Sequence, residues 1–253
     1  MTSPFEYQCD TGRISARLTP WDKRALGFGT AEVLSIEANA VGAELLLERV
    51  EEWACQNGVR YVFGRLPAAS RTMRASMERA GYAMIECSIT LSRDGFAGLP
   101  AVPTRMRPQF RAATLDDLPA LQSMAREDFH HGRFLEDPAI SHEAAAQRTI
   151  NWIGDLLDQG LLQAVELSGK LIGFHAERLG LDATHADLIL TGAAHRYAMF
   201  SMPLWIGALN RLRDRNVQRC STLVSAANVG VINLYARLGF HYDATLFGYR
   251  KFL

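Results

Sequence analysis

The chain has 253 residues, which is enough for one large domain or two small ones. Hydrophobic residues make up 48% of it and charged residues 21%, a mixture typical of globular proteins with a sizeable core. Lys plus Arg and Asp plus Glu number 27 each, so the composition has neither the basic excess of a nucleic-acid-binding protein nor an acidic tail.

Cysteine usage and hydropathy indicate in which cellular compartment we expect the protein. The sequence contains no CxxC pair and no Cys/His cluster with zinc spacing, so we expect no metal site. We expect small buried thiols in a reducing compartment at all four cysteines, which are Cys9, Cys55, Cys87 and Cys220. The first ten residues lack a basic segment followed by an apolar run, and no run of about 18 apolar residues occurs. We therefore expect a cytoplasmic protein without a signal peptide or a membrane span.

Helix and strand patterns alternate in the N-terminal half. The spacing of apolar residues predicts a helix over 41–56 and, after Gly58, a strand over 59–66. A second helix is expected over 70–80, where it is ended by Gly81.

A linker is expected over 94–108. This segment holds residues that interrupt regular structure, namely Gly95, Gly98, Pro100, Pro103 and Pro108. We therefore divide the chain into a domain over 1–95, a linker over 96–108 and a domain over 109–253.

The C-terminal half predicts two helices, a three-strand meander, and then a helix, a strand, a helix and a strand. Thr114 can cap the first helix and Ser201 the third. The expected ranges after the first helix are a helix over 143–158, strands over 161–167, 171–179 and 186–191, a helix over 202–215, a strand over 220–225 and a helix over 228–238.

The two halves share a pattern. A shift of 158 residues, the separation of Gly81 from Gly239, superimposes them without a gap. Under that shift RASMERAGY matches INLYARLGF, and Met77 falls on Tyr235. We interpret this as an internal repeat, in which the N-terminal half copies the end of the C-terminal half.

The strongest signal is the segment over 225–251, SAANVGVINLYARLGFHYDATLFGYRK. It resembles the late strand–helix motif of the GNAT N-acetyltransferase superfamily, N-x-x-x-x-x-L-Y-x-x-x-G-F, in which Asn228 and Tyr235 fall at the family spacing. The resemblance begins near residue 111. It implies an α/β GNAT fold, a mixed and splayed central sheet flanked by helices, preceded here by a partial, inactive GNAT-like domain.

By this resemblance the cosubstrate is an acyl-CoA, acetyl-CoA in the first place, with its pantetheine in a gap between residues 188–192 and 222–225. Leu190 and Thr191 would line the gap, and Asn228 would hydrogen-bond the pantetheine or its neighbourhood. Tyr235 would direct its hydroxyl at the thioester sulfur and protonate it as the C–S bond breaks. A phenol, with a pKa near ~10, keeps its proton at neutral pH and can give it to a leaving thiolate.

The segment for the CoA pyrophosphate departs from the family pattern. The family has Q/R-x-x-G-x-G/A there, and backbone N–H groups at the following helix hold the phosphates. The corresponding run in this chain is Arg196, Tyr197, Ala198, Met199, Phe200 and Ser201. Met199 and Ser201 replace the two glycines, so a domain that has lost tight CoA binding is one alternative.

A narrower resemblance covers residues 128–152, DFHHGRFLEDPAISHEAAAQRTINW, and points to bacterial dTDP-fucosamine acetyltransferases. Its shared pieces are Arg133-Phe134, Asp137-Pro138 and a later Trp. It implies a nucleotide-linked 4-amino-6-deoxysugar as the acceptor, with His130, Arg133 and Trp152 at the substrate site.

No motif in the sequence identifies the base that takes the ammonium proton. Glu177 is our candidate, and His175 and Asp187 are the alternatives beside it. Strand alternation would place residues 175 and 177 on the same face.

We therefore predict an N-acyltransferase that moves an acetyl or small acyl group to a primary amine, with a nucleotide-linked amino-deoxysugar as the expected acceptor. One alternative is a GNAT enzyme acting on another small amine, such as an amino acid or an antibiotic. The other is a GNAT-like binding module without catalysis. No nucleic-acid or membrane partner is expected, and the oligomeric state, a homodimer included, stays open.

Overall fold

The computed structural model describes residues 4–253; the first three residues, part of the stretch searched for a signal peptide, lie outside the described range. The chain forms two compact units. Unit 1 contains the described residues up to Ile89 together with Gly132–Arg148 and Ala244–Leu253, and unit 2 contains Thr90–His131 and Thr149–Asp243. This division differs from the contiguous one at residues 95 and 109 that the sequence suggested, because each unit takes up separate stretches of chain.

Unit 1 is a sheet with helices. Its elements are β1 (Phe5–Cys9), β2 (Gly12–Leu18), α1 (Pro20–Leu26), β3 (Gly29–Ala38), α2 (Ala40–Gln56), β4 (Val59–Pro67), α3 (Arg71–Arg79), the start of β5 (Ala83–Asp94), α5 (Arg133–Glu136), the start of α6 (His142–Asp158) and most of β11 (His241–Phe252). The first three strands pair antiparallel, β3 pairs parallel with β4, and β4 pairs antiparallel with β11. The apolar face of α2, including Leu46, Leu47 and Val50, is buried in the core of this unit.

Unit 2 has a comparable build. Its further elements are β6 (Gln109–Ala112), α4 (Leu118–Asp128), β7 (Leu162–Leu167), β8 (Lys170–Leu179), β9 (His185–Ala193), a 3-10 helix (His195–Phe200), α7 (Ser201–Asp214), β10 (Arg219–Ser225) and α8 (Val229–Arg237). Strands β6 to β9 pair antiparallel in sequence order, and β9 pairs parallel with β10. One apolar core joins α4 and the second half of α6 to the sheet, and another lies under α7.

The repeat expected from the sequence is visible in local structure. Helices α3 and α8 have nine residues each and are related by the same shift of 158 residues that separates Gly81 from Gly239. Both glycines follow the helix in the left-handed region, with φ of 84° and 73°. The N–H of Tyr82 donates to the carbonyl of Met77 at 2.9 Å, and Phe240 donates to Tyr235 in the same way at 3.0 Å. Both helices therefore end in the same glycine-dependent cap.

The C-terminal strand explains why unit 1 is discontinuous. β11 pairs with β4 from Leu246, opposite Pro67, to Phe252, opposite Tyr61. The buried carboxylate of Asp137 accepts a hydrogen bond from the Tyr61 hydroxyl at 2.7 Å and binds the Arg250 guanidinium at 3.1 Å. The last residues of the chain are thus tied into unit 1 by a ladder and by a buried ion pair.

Two expected helix caps are wrong. α4 begins at Leu118, and Thr114 donates its backbone N–H and hydroxyl to Asp117 at 2.8 and 3.0 Å instead of capping the helix. α7 begins at Ser201 itself, whose hydroxyl donates to the Ala198 carbonyl at 2.7 Å. In each case the hydroxyl donates to a residue three positions away, Asp117 for Thr114 and Ala198 for Ser201.

Cys220 is buried and Cys9 and Cys87 are half-buried, but Cys55 is exposed, so the expectation of four buried thiols is wrong there. Within residues 4–253, no three His, Cys, Asp or Glu side chains are grouped so as to hold a metal ion. None of the helices in that range is both long and apolar enough to span a bilayer.

Candidate functional site

Strands β9 and β10 of unit 2 are paired at one end only. Their paired positions run from His185 with Arg219 to Asp187 with Ser221, although both strands continue for several residues. Beyond the last pair, the Thr222 hydroxyl donates to the Leu188 carbonyl at 3.1 Å. The strands therefore separate between residues 188–192 and 222–225, where the sequence predicted a gap.

An irregularity in β9 coincides with this separation. Ala176 of β8 lies opposite Leu190. The next residue, Glu177, lies opposite Leu188, so β9 has an additional residue between these positions. Such a bulge interrupts the ladder and changes the direction of a strand. Leu190 and Thr191, both predicted to line the gap, lie in the part of β9 that continues past the bulge.

Tyr235 lies where the two strands separate. Its side chain projects from α8 and is 4% exposed, with the ring 5.0 Å from Trp205 and 4.8 Å from Phe240. Thr222 lies next to its hydroxyl. Burial raises the pKa of Tyr235, so the hydroxyl keeps its proton at neutral pH.

Asn228 occupies the N-cap of α8. Its side-chain oxygen accepts a hydrogen bond from the backbone N–H of Val231 at 3.2 Å. The contact is that of a helix cap and it orients the first turn of the helix that carries Tyr235. The side-chain NH₂ group is the part of Asn228 that can serve a ligand.

A row of polar side chains begins at Thr191 and is buried at His175 and Glu177. The Thr191 hydroxyl lies 2.8 Å from Nδ1 of His175, and Nε2 of His175 lies 3.0 Å from Oε2 of Glu177. The row ends at Arg215, whose guanidinium donates to Oε1 of Glu177 at 2.5 Å. His175 is fully buried, and its ring is flanked edge-to-face by Trp205.

The charge of Glu177 determines the direction of these hydrogen bonds. Burial works to raise its pKa, but the hydrogen bond from His175 and the charge of Arg215 outweigh burial, so the pKa lies below its usual value. Glu177 is therefore a carboxylate that accepts the Nε2–H of His175. In neutral His175, Nδ1 is then the acceptor for the Thr191 hydroxyl. The same-face placement of residues 175 and 177 is confirmed, but Glu177 is engaged on both oxygens and is a weak base.

The segment predicted to bind the CoA pyrophosphate is not an open loop. Residues His195–Phe200 form a 3-10 helix, interrupted by non-helical backbone at Tyr197, and in such turns the N–H groups bond to carbonyls three residues back. Met199, at a family glycine position, is 73% exposed. The Arg196 guanidinium lies 5.1 Å from the Tyr197 ring. What remains for an anion is Arg196 and the N-terminus of α7, which no side chain caps.

Two of the predicted substrate residues lie in unit 2. His130 is exposed and follows Phe129, whose ring would be 2.8 Å from a Cβ at Gly192; this close contact places His130 near the end of β9. Trp152 is half-buried and packs against the core formed by α4, α6 and the sheet. Trp152 is therefore part of the core, whereas His130 is exposed and follows a residue that packs against the end of β9.

Arg133 belongs to unit 1. Its guanidinium lies 3.8 Å from the Phe63 ring, and Nη1 is 3.6 Å from Glu32. Burial lowers the pKa of this guanidinium. Its Nε and Nη1 are buried without a hydrogen-bond partner among residues 4–253. Arg133 is thus neither a solvated surface residue nor fully satisfied.

Neither a protein-family model nor a curated protein matches the sequence. Solved structures do match. A GCN5-related N-acetyltransferase from Sphaerobacter thermophilus is 16% identical with a TM-score of 0.64, covering 94% of this chain and 76% of that one. A tandem GNAT protein from the clavulanic acid biosynthesis pathway is 15% identical with a TM-score of 0.60, covering 96% and 79%. A glucosamine N-acetyltransferase region in a fungal multi-domain beta-N-acetylglucosaminidase is 12% identical with a TM-score of 0.67, covering 94% of this chain and 31% of that one. The chain therefore has the GNAT fold, as its sequence predicted.

Proposed function

We propose that this chain is an N-acyltransferase that moves an acetyl or small acyl group from acyl-CoA to a primary amine. The observation that carries the proposal is the separation of β9 from β10, with the buried, protonated hydroxyl of Tyr235 at the fork next to Thr222. The GNAT fold supports it, because its neighbours include N-acetyltransferases.

In the proposed reaction the free amine attacks the thioester carbonyl carbon. A C–N bond forms, the C–S bond breaks, and the sulfur leaves as a thiolate that takes the hydroxyl proton of Tyr235. Acid assistance of this kind contributes about 10²–10⁴-fold to a rate. No acyl-enzyme is needed, because the amine is itself the nucleophile.

The row of polar side chains that begins at Thr191 supports a route for the amine proton. Thr191 would accept that proton while its own passes to Nδ1 of His175, a contact of 2.8 Å. The carboxylate of Glu177 would stabilise the resulting imidazolium through Nε2–H. Glu177 then acts as a positioning residue, and the role of base, assigned to it from the sequence, moves to His175.

The same residues define how acyl-CoA would be held. Its pantetheine fits the gap beside Leu190 and Thr191, with the NH₂ group of Asn228 at its edge. The segment from Tyr197 through Ala198, Met199 and Phe200 to Ser201 would lie under the pyrophosphate, with Arg196 supplying charge. Because that segment is a 3-10 helix without glycine, we expect weaker phosphate binding than a glycine-rich loop gives.

For the acceptor we propose the amine of a nucleotide-linked amino-deoxysugar. Support comes from the resemblance over 128–152 and from a structural neighbour described as a glucosamine N-acetyltransferase region. The exposed ring of His130 in unit 2 suits a sugar hydroxyl. Trp152, being part of the core, would act through packing.

Unit 1 is proposed to be an inactive partial copy. At the position of Tyr235 it has Met77, and a thioether has no proton to donate. A structural neighbour described as a tandem GNAT protein covers 96% of this chain, which supports a doubled arrangement.

The test has two stages. Calorimetric titration with acetyl-CoA should show one site per chain. Release of free CoA thiol should then require an amine, and a panel of nucleotide amino-sugars, free amino sugars and amino acids would rank the acceptors. Absence of acetyl-CoA binding would instead favour a non-catalytic module, the alternative raised by Met199 and Ser201.

A further inference from the structure

A cavity of about 510 Å³ in unit 2 is lined by none of the residues assigned above to acyl transfer. One wall is α7, which contributes Pro203, Gly207, Asn210 and Arg211 from a single face, since these positions recur every three or four residues. The opposite wall is the segment over 99–108, and Phe110 lies between the two. We call it the α7 cavity.

The walls of the α7 cavity are stiff. Pro100 and Pro108 line it and restrict the backbone of the segment over 99–108. The Arg107 side chain closes that segment on itself, because its Nε donates to the Val102 carbonyl at 3.1 Å. A Cβ at Gly207 would lie 2.8 Å from the Phe110 ring, so glycine is what allows this close packing. A ligand would therefore enter a largely preformed site.

The polar lining of the cavity is cationic. Three arginines, Arg107, Arg211 and Arg213, contribute to it together with Asn210, and no acidic side chain does. Asp214 offsets one of these charges, with its carboxylate 3.0 Å from Arg213 at the surface. The net positive charge that remains favours the binding of an anion.

Arg211 is the residue that points to a ligand. Its Nε is buried and has no hydrogen-bond partner within residues 4–253, and its guanidinium lies 5.1 Å from the Phe110 ring. A buried donor without an acceptor is destabilising. Glu177 is the acidic residue whose charge acts on Arg211. Both of its carboxylate oxygens are already hydrogen-bonded, one by His175 and the other by Arg215.

We propose that the α7 cavity is a second ligand site, which binds a small molecule carrying a phosphate or carboxylate group on a flat apolar body. The anion would accept from Arg211, Arg107 and Asn210. The apolar body would pack against the prolines and Phe110.

Titration of the full chain with phenyl phosphate and with benzoate tests the site and separates the two anions. Saturable binding of at least one is expected, with none for the uncharged benzyl alcohol, and it should persist when acetyl-CoA is saturating. Arg211→Gln should weaken binding about tenfold or more. Arg126→Gln, which removes an equal charge from the exposed face of α4, should leave binding unchanged.

Arg107→Gln provides a second measurement, because this side chain is exposed and its loss should not disturb α7. It too should weaken binding. The proposal is overturned if neither anion binds saturably, if both arginine variants bind as the wild type does, or if Arg126→Gln loses as much affinity. Displacement of the probe by acetyl-CoA would also overturn it, since that result assigns the anion to the gap; failure of acyl transfer alone would not affect it.

Discussion

Nδ1 of His175 lies 2.8 Å from the hydroxyl oxygen of Thr191, and this contact joins the buried charges of unit 2 to the open part of β9. His175 is itself fully buried, so a proton can reach it only through a neighbour. Thr191 is that neighbour, because it lies past the last residue of β9 that pairs with β10. A hydroxyl that donates to one group while accepting from another can pass a proton without acquiring a charge.

His175→Gln should lower turnover at neutral pH by about 10²-fold or more, since general base assistance contributes about 10²–10⁴-fold. Without the base, the rate should rise with pH as the amine loses its own proton. The pH–rate profile measures this, and Thr191→Ser should keep the wild-type profile where Thr191→Val does not. His185→Gln is the matched control on β9. An unchanged profile for His175→Gln would remove the relay from the mechanism.

Tyr235→Phe should lower turnover by about 10–10³-fold while acetyl-CoA affinity stays close to that of the wild type, because the hydroxyl acts as the thiolate forms. The buried ring keeps its packing, so the free energy of unfolding should change by about 1 kcal/mol or less. Steady-state kinetics and calorimetry separate the two effects. Tyr242→Phe, at a side chain that is 52% exposed, should change neither. Full activity of Tyr235→Phe would exclude the tyrosine as the acid.

The lowered pKa of Glu177 predicts that the stability of the fold falls at acidic pH. Its pKa is lowered in the folded state, so its stabilising contribution is present above the unfolded value of about 4.5 and is lost as pH falls through the folded value. Glu177→Gln should lower the free energy of unfolding by about 1–3 kcal/mol at pH 7. The difference from the wild type should shrink at acidic pH. Urea unfolding at several pH values measures it, and a constant difference would contradict the assigned charge.

Features that depend on a few adjacent residues were predicted correctly from the sequence. Helices α3 and α8 end where glycine takes the left-handed conformation, and the turn of the β7–β8 hairpin has positive φ at Ser168 and Gly169. The internal repeat also predicted that α3 and α8 correspond, because a single shift without a gap superimposes them.

Contacts between residues far apart in the chain could not be predicted from the sequence. Nothing in the residues of β11 shows that it pairs with β4 rather than with a strand of its own half. Arg133 and Asp137 belong to the motif of the narrower resemblance, yet both lie in unit 1, where Arg133 is half-buried and the buried Asp137 binds Arg250. The fitness of His175 as a base depends on Thr191, a residue on another strand, and only the register shows that contact.

Asp137→Ala should lower the free energy of unfolding by about 3–5 kcal/mol, the usual cost of removing one partner from a buried ion pair. Its side chain is fully buried, and it leaves both the Tyr61 hydroxyl and the Arg250 guanidinium without their acceptor. Asp214→Ala removes a carboxylate from an exposed pair with Arg213 and should cost less than about 1 kcal/mol. Denaturant unfolding compares the two, and equal effects would contradict the assigned role of Asp137.

Deletion of all residues before Thr104 should abolish folding of the rest of the chain. The fragment loses β4, so the strand from Leu246 to Phe252 becomes an unpaired edge, which favours aggregation. It also loses Arg93, which donates to the Leu238 carbonyl at the end of the helix that carries Tyr235. Size-exclusion chromatography and circular dichroism should show aggregated or unfolded material. Co-expression of residues 1–103 as a separate chain should restore a soluble complex, because the missing strand and the arginine return with it. A fragment over 104–253 that is monodisperse and as active as the full chain would show that unit 1 is dispensable and that the pairing of β4 with β11 does not stabilise the fold.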